Sequence, residues 1–167
     1  MNSEIIWPGE ELVSSLFECQ TNPPQRILLA AADDDLRHIN AEVLLDSGYD
    51  VDAAEDGAVA WDALQLKSYD LLIIDNNMPK LSGIDLLKNL QAVQMALPVI
   101  LLSETMPAEE LKRHAWLQIK ARLHKPCTLA KLLGTVGQVL RANDGVRAEI
   151  APPPAWQSPS PVDRLRP

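Results

Sequence analysis

The sequence predicts an α/β fold: a doubly wound sheet of five parallel strands with helices on both faces. Three observations carry this. Between Arg26 and Ala142 five short apolar runs alternate with five stretches of helical periodicity, the pattern of successive βαβ units. The runs starting at Ile27 and Leu71 are almost continuously apolar, as strands are when helices cover both faces of their sheet. The connections are short, and right-handed crossovers then leave an open, doubly wound arrangement.

Each element follows in order. ILLAA (27–31) is the first strand, and the helix after it carries Leu36, Ile39, Val43 and Leu44 on one face as its expected core contact. DVDAA (50–54) is the second strand, followed by a helix over 56–67 with Val59, Ala63 and Leu66 as its apolar side. LLIID (71–75) leads to a helix over 83–94 that presents Ile84, Leu87 and Leu90. PVILLS (98–103) leads to a helix over 107–116, where Pro107 suits a first turn and Ala108, Leu111 and Ala115 share a face. ARLH (121–124) is the fifth strand, and Leu129, Leu132, Leu133, Val136, Val139 and Leu140 line the last helix.

The 167 residues allow one domain of ordinary size, which typically takes about 100–150, plus extensions. The expected organisation is an N-terminal extension (1–24), a core domain (25–142) and a proline-rich flexible tail (143–167). Within the first extension, PGEELVSSLFECQ (8–20) has the spacing of a short amphipathic helix, with Leu12, Leu16 and Phe17 on one side. No apolar run approaches the length of a membrane span. A net charge of −8 opposes binding to a phosphate backbone or an anionic bilayer, so neither nucleic acid nor membrane is an expected partner. Cys19 and Cys127 lack metal-type spacing and no secretory signal precedes them, which reads as a cytoplasmic chain with free thiols.

In an open parallel sheet, ligands bind beyond the carboxyl ends of the strands, where the strand order reverses. At those ends stand AAADDD (30–35), Asp75, Ser103 and Lys125-Pro126. Each has an ordinary structural reading as a turn, cap or surface residue. A carboxylate, a hydroxyl and an ammonium arriving together at one edge are less easily explained that way.

DLLIIDNNMPKLSG (70–83), together with RILL, SGYDVDAAEDGAVAWDAL (47–64), LPVILLSE (97–104) and HKPCTLAKLL (124–133), resembles the receiver domains of bacterial two-component response regulators. The resemblance spans about residues 25–142 and implies a flavodoxin-like fold of strand order 2-1-3-4-5. It implies that Asp75 is the phosphoacceptor, that Ser103 and Lys125 contact the phosphoryl oxygens, and that Lys125-Pro126 is a cis bond. It also implies a weakly held Mg²⁺, with Asp33, Asp75 and the Asn77 carbonyl as its ligands. The implied partners are a histidine kinase or phosphotransfer protein and a downstream protein of unknown identity, with a homodimer as a further possibility. The implied role is phosphorelay signalling by protein contact, with no enzymatic activity beyond self-catalysed phosphoryl transfer to and from Asp75.

Receivers place an acidic pair directly after the first strand to hold the metal. Counted without gaps from Ile27, those positions are Ala31 and Ala32, and Asp33 falls one place late. A competing register makes Asp33-Asp34 the pair but displaces Leu36, Ile39 and Val43. The gap-free register is favoured because an apolar helix face is costly to shift. A second departure is Arg122, three positions before Lys125, where receivers commonly carry an aromatic residue. Together these departures motivate an alternative: a pseudo-receiver that binds protein independently of phosphorylation.

Overall fold

The computed structural model describes residues 23–105, 108–113, 115, 117 and 119–150. Five strands, β1 (Arg26–Ala30), β2 (Asp50–Ala54), β3 (Leu71–Asp75), β4 (Val99–Ser103) and β5 (Ile119–His124), form one parallel sheet in the order β2-β1-β3-β4-β5. Five helices alternate with them: α1 (Asp34–Asp46), α2 (Gly57–Leu66), α3 (Gly83–Ala92), α4 (Ala108–Arg113) and α5 (Leu129–Ile150).

Side chains alternate across a strand, so each strand feeds two cores. Ile27, Leu29, Leu71, Ile73, Ile100 and Leu102 pack with Leu44 of α1 and with Leu132, Val136 and Leu140 of α5. Leu28, Leu72, Ile74 and Leu101 pack on the other face against Ala60 and Leu64 of α2, Leu86 and Leu90 of α3, and Leu111 of α4. By the same alternation Asp75, which continues the series Leu71, Ile73, belongs to the α1–α5 side.

Local chemistry starts the helices where the chain needs them. Asp33 caps α1 by accepting from the Leu36 amide, Asp56 caps α2 by accepting from Ala58 and Val59, and Ser82 caps α3 by accepting from Asp85. Gly48, at φ +90°, makes the turn out of α1 that other residues adopt at a cost.

Three expectations need correction. On α1, Leu36 and Ile39 are exposed and the buried positions are Asn40 and Leu44. The Arg37 guanidinium donates to the Ala31 carbonyl (2.7 Å) on the sheet side of the first turn, and Leu44 alone of the expected stripe is fully buried. On α2, Val59 and Leu66 are exposed while Gly57, Ala60 and Leu64 are buried. Small residues face the sheet there: a Cβ on Gly57 would collide with the Leu81 carbonyl. Finally, α5 runs on to Ile150, so residues 143–150, expected in the flexible tail, are helical. Nothing in ANDGVRAEI stops the helix before Pro152, since proline disfavours helical backbone in the residue preceding it. The helix expected at 8–20 and the remainder of the tail, 151–167, lie outside the described residues.

Candidate functional site

The site begins with the last residue of β3. The main chain of Asp75 is held from behind by α3: a Cβ on Gly83 would come within 2.8 Å of the Asp75 carbonyl oxygen, so only glycine lets the helix start this close. The carboxylate is buried and fully engaged. Its Oδ1 accepts from the Asn77 amide at 3.0 Å and its Oδ2 accepts from Lys125 Nζ at 2.5 Å. Lys125 follows β5, where its own amide donates to the Ser103 carbonyl at 3.0 Å. The Lys125-Pro126 bond is cis, as the motif implies.

A charged pair in this position costs desolvation, offset by the short contact and by the amide on the other oxygen. The sheet thus brings Asp75 and Lys125, 50 residues apart in the chain, into direct contact. Ser103 is also buried at the same edge, and its hydroxyl donates to the Thr105 carbonyl at 2.6 Å. Arg122 is an exposed residue of β5, paired in register with Leu101.

The alanines settle the register. Ala30 pairs with Ile74, so Ala31 stands level with Asp75, buried at 4% exposure, with its amide on the Ala54 carbonyl. Ala32 follows, and Asp33 is the helix cap, its Oδ1 accepting from Leu36 at 3.0 Å. The neighbouring Asp34 pairs with Arg37.

Receiver domains typically bind Mg²⁺ in an acidic pocket, and Mg²⁺ is usually held by one or two carboxylates plus phosphate oxygens and water. The donors here do not fit such an ion. The acidic-pair positions hold methyl groups, each Asp75 oxygen accepts one hydrogen bond, and Asp33 gives its Oδ1 to a helix cap. Among the described residues no group of three His, Cys, Asp or Glu side chains converges to hold a metal. Asn76 Oδ1 is a buried acceptor without a hydrogen-bond partner, and one neutral oxygen does not replace a carboxylate pair. Of the expected set, Asp33 and Asp75 line one pocket and the Asn77 amide lies on the Asp75 carboxylate.

A pocket of about 200 Å³ opens beside Asp75. Ala31, Leu36, Ile39, Leu102, Pro126 and Leu129 give it carbon walls, Asn40 and Cys127 also line it, and Asp33, Asp75 and Lys125 stand at its polar margin. The outward stripe of α1 thus forms one wall. The sequence reading placed Leu36 and Ile39 in the core. Only their spacing on a helix that starts at the site marks them as pocket residues.

A second closed ion pair stands at the end of β2. Asp56 accepts from two amides of α2 and from Lys80 Nζ at 2.5 Å. Lys80 adopts φ +65° to reach it. The Lys80 ammonium, with the Val59 amide next, holds the Asp56 carboxyl below the usual range, and Asp56 in turn raises Lys80. Neither Asp56 as a cap nor Lys80 as its partner was expected from the sequence.

Comparison with known proteins agrees with this geometry. A family model described as the response regulator receiver domain matches residues 27–137. The chain is 31% identical over 119 residues to the chemotaxis protein CheY-3 of Vibrio cholerae, covering 70% of this chain and 92% of that protein. It is 33% identical over 134 residues to the sensor protein EvgS of Escherichia coli, covering 77% of this chain and 10% of that much longer protein. The receiver domain of the Francisella response regulator 1452 superposes with a TM-score of 0.65 at 28% identity, over 71% of this chain and 98% of that domain.

Proposed function

The chain belongs to the response regulator receiver domain family, and we propose that it acts in a phosphorelay with Asp75 as the phosphoacceptor, at a site where Lys125 supplies the fixed positive charge. Receiver domains are signalling modules rather than classical enzymes, and they interact with histidine kinases or phosphotransfer proteins. The observation that carries the proposal is the Lys125 Nζ to Asp75 Oδ2 contact of 2.5 Å at the carboxyl edge of the sheet.

The chemistry follows from the contacts. A carboxylate oxygen of Asp75 forms the new bond to phosphorus while the bond from phosphorus to the donor nitrogen breaks and the imidazole leaves. For this, Lys125 must move from the carboxylate to a phosphoryl oxygen, where a point charge offsets the growing negative charge. Ser103 must also exchange the Thr105 carbonyl for a phosphoryl oxygen. With methyl groups at positions 31 and 32, transfer is slow, since each ~1.4 kcal/mol of lost transition-state stabilisation costs a factor of ten in rate. The modified domain then signals by protein contact with a downstream partner, in the cytoplasm.

A second reading, a binding module indifferent to phosphorylation, is favoured by one observation: the buried Ala31 beside Asp75. Incubation with acetyl phosphate, read by intact mass, separates the two. The phosphoacceptor reading expects slow incorporation of a single phosphoryl group, lost in Asp75→Asn. No incorporation after prolonged incubation, with partner affinity unchanged in Asp75→Asn, supports the second.

A further inference from the structure

We propose that the pocket beside Asp75 binds a compact, uncharged apolar small molecule about the size of one aromatic ring. The proposal goes beyond phosphoryl transfer and concerns the chain with Asp75 unmodified. Three features of the pocket point to this ligand class.

The first is size and lining. A volume of about 200 Å³ is close to that of an apolar cavity of about 150 Å³ that stays dry and takes up benzene. Ala31, Leu36, Ile39, Leu102, Pro126 and Leu129 supply carbon walls. The second is charge. In the unmodified chain Asp75 and Lys125 neutralise one another at the margin, so a charged guest has to open that pair to find a partner. Asp33 is likewise committed to the Leu36 amide. A neutral guest leaves these contacts intact.

The third is the mouth. Leu36, Ile39 and Leu129 are 43%, 45% and 37% exposed and form an apolar rim around the pocket. A guest that covers this rim removes apolar surface from water, which is the driving force for its binding. The pocket also lies at the β1–β3 boundary, where the strand order reverses and open α/β sheets place their ligands.

The test uses the full chain labelled with carbon-13 in its isoleucine and leucine methyls, titrated with toluene. The expected result is saturable shifts confined to Leu36, Ile39, Leu102 and Leu129. Benzoate and benzylamine, of the same shape but charged, should bind at least about tenfold more weakly, a difference of ~1.4 kcal/mol. Ala31→Leu fills the pocket and should abolish the shifts. Ile39→Asp, at a side chain nearly half exposed and therefore safe for folding, should weaken toluene binding by a similar factor. Shifts that fail to saturate or spread over the surface, equal binding of benzoate, or toluene binding that survives both substitutions in folded protein would overturn the proposal. The titration contains no phosphoryl donor, so its outcome is read independently of phosphoryl chemistry.

Discussion

Asp56 and Asp75 are both buried carboxylates at the carboxyl edge of the sheet, and each is closed by a lysine at 2.5 Å. They differ in what surrounds the lysine. The Lys80 side chain is 65% exposed and reaches in from solvent, whereas that of Lys125 is 15% exposed and forms part of the pocket margin. Asp56 also accepts from two amides at a helix start, so it has support without its lysine. Asp75 accepts from one amide. The same pair of residue types is thus a loop fastener in one place and, in the other, the polar margin of a site.

The largest effect that would test this difference is on stability. Lys125→Ala leaves Asp75 buried with one amide, and breaking a buried pair in this way costs about 3–5 kcal/mol. Lys80→Ala removes a mostly exposed partner and should cost far less. Urea unfolding of the two variants measures both, and equal losses would show that the two pairs are equivalent. Next in size is Gly83→Ala, which forces α3 away from the Asp75 carbonyl at a cost of about 1–3 kcal/mol. Its amide exchange should rise around Asn76 and Asn77 more than around Asp56.

The smallest effect is on pH dependence. Lys80 holds Asp56 below its ordinary value of 3.8, and Lys67, with Tyr69, does the same for Asp52. A carboxyl whose folded pKa is depressed stabilises the fold fully above its unfolded value, and that contribution disappears as pH falls through the folded value. Thermal unfolding followed downward from about pH 5 should therefore lose stability, and Asp56→Asn should flatten part of the slope. An unchanged slope would mean that the Lys80 contact does not persist in solution.

Much of this architecture can be read from the residues, because strand runs such as LLIID and a cap such as Asp33 act locally, whereas the Asp56 and Ser82 caps emerged only in the structure. Asp75 and Lys125 were also readable, since strand ends in an open sheet converge. The buried faces of α1 and α2 were not. Periodicity locates a stripe on a helix, but which stripe meets the sheet depends on how closely the helix approaches: Ala60 and Gly57 are buried while Val59 is exposed, and Asn40 and Leu44 are buried while Leu36 is exposed. The Asp56–Lys80 contact joins residues 24 apart through a left-handed turn that no short-range pattern announces.

The central claim is that the seat of a divalent cation has been exchanged for an internal ion pair and an apolar pocket. Calorimetric titration of the full chain with Mg²⁺ tests it most directly, run beside the Ala31→Asp/Ala32→Asp variant. The expected result is no saturable binding in the unaltered chain and its appearance in the variant. Saturable Mg²⁺ binding in the unaltered chain that disappears in Asp33→Ala would contradict the claim.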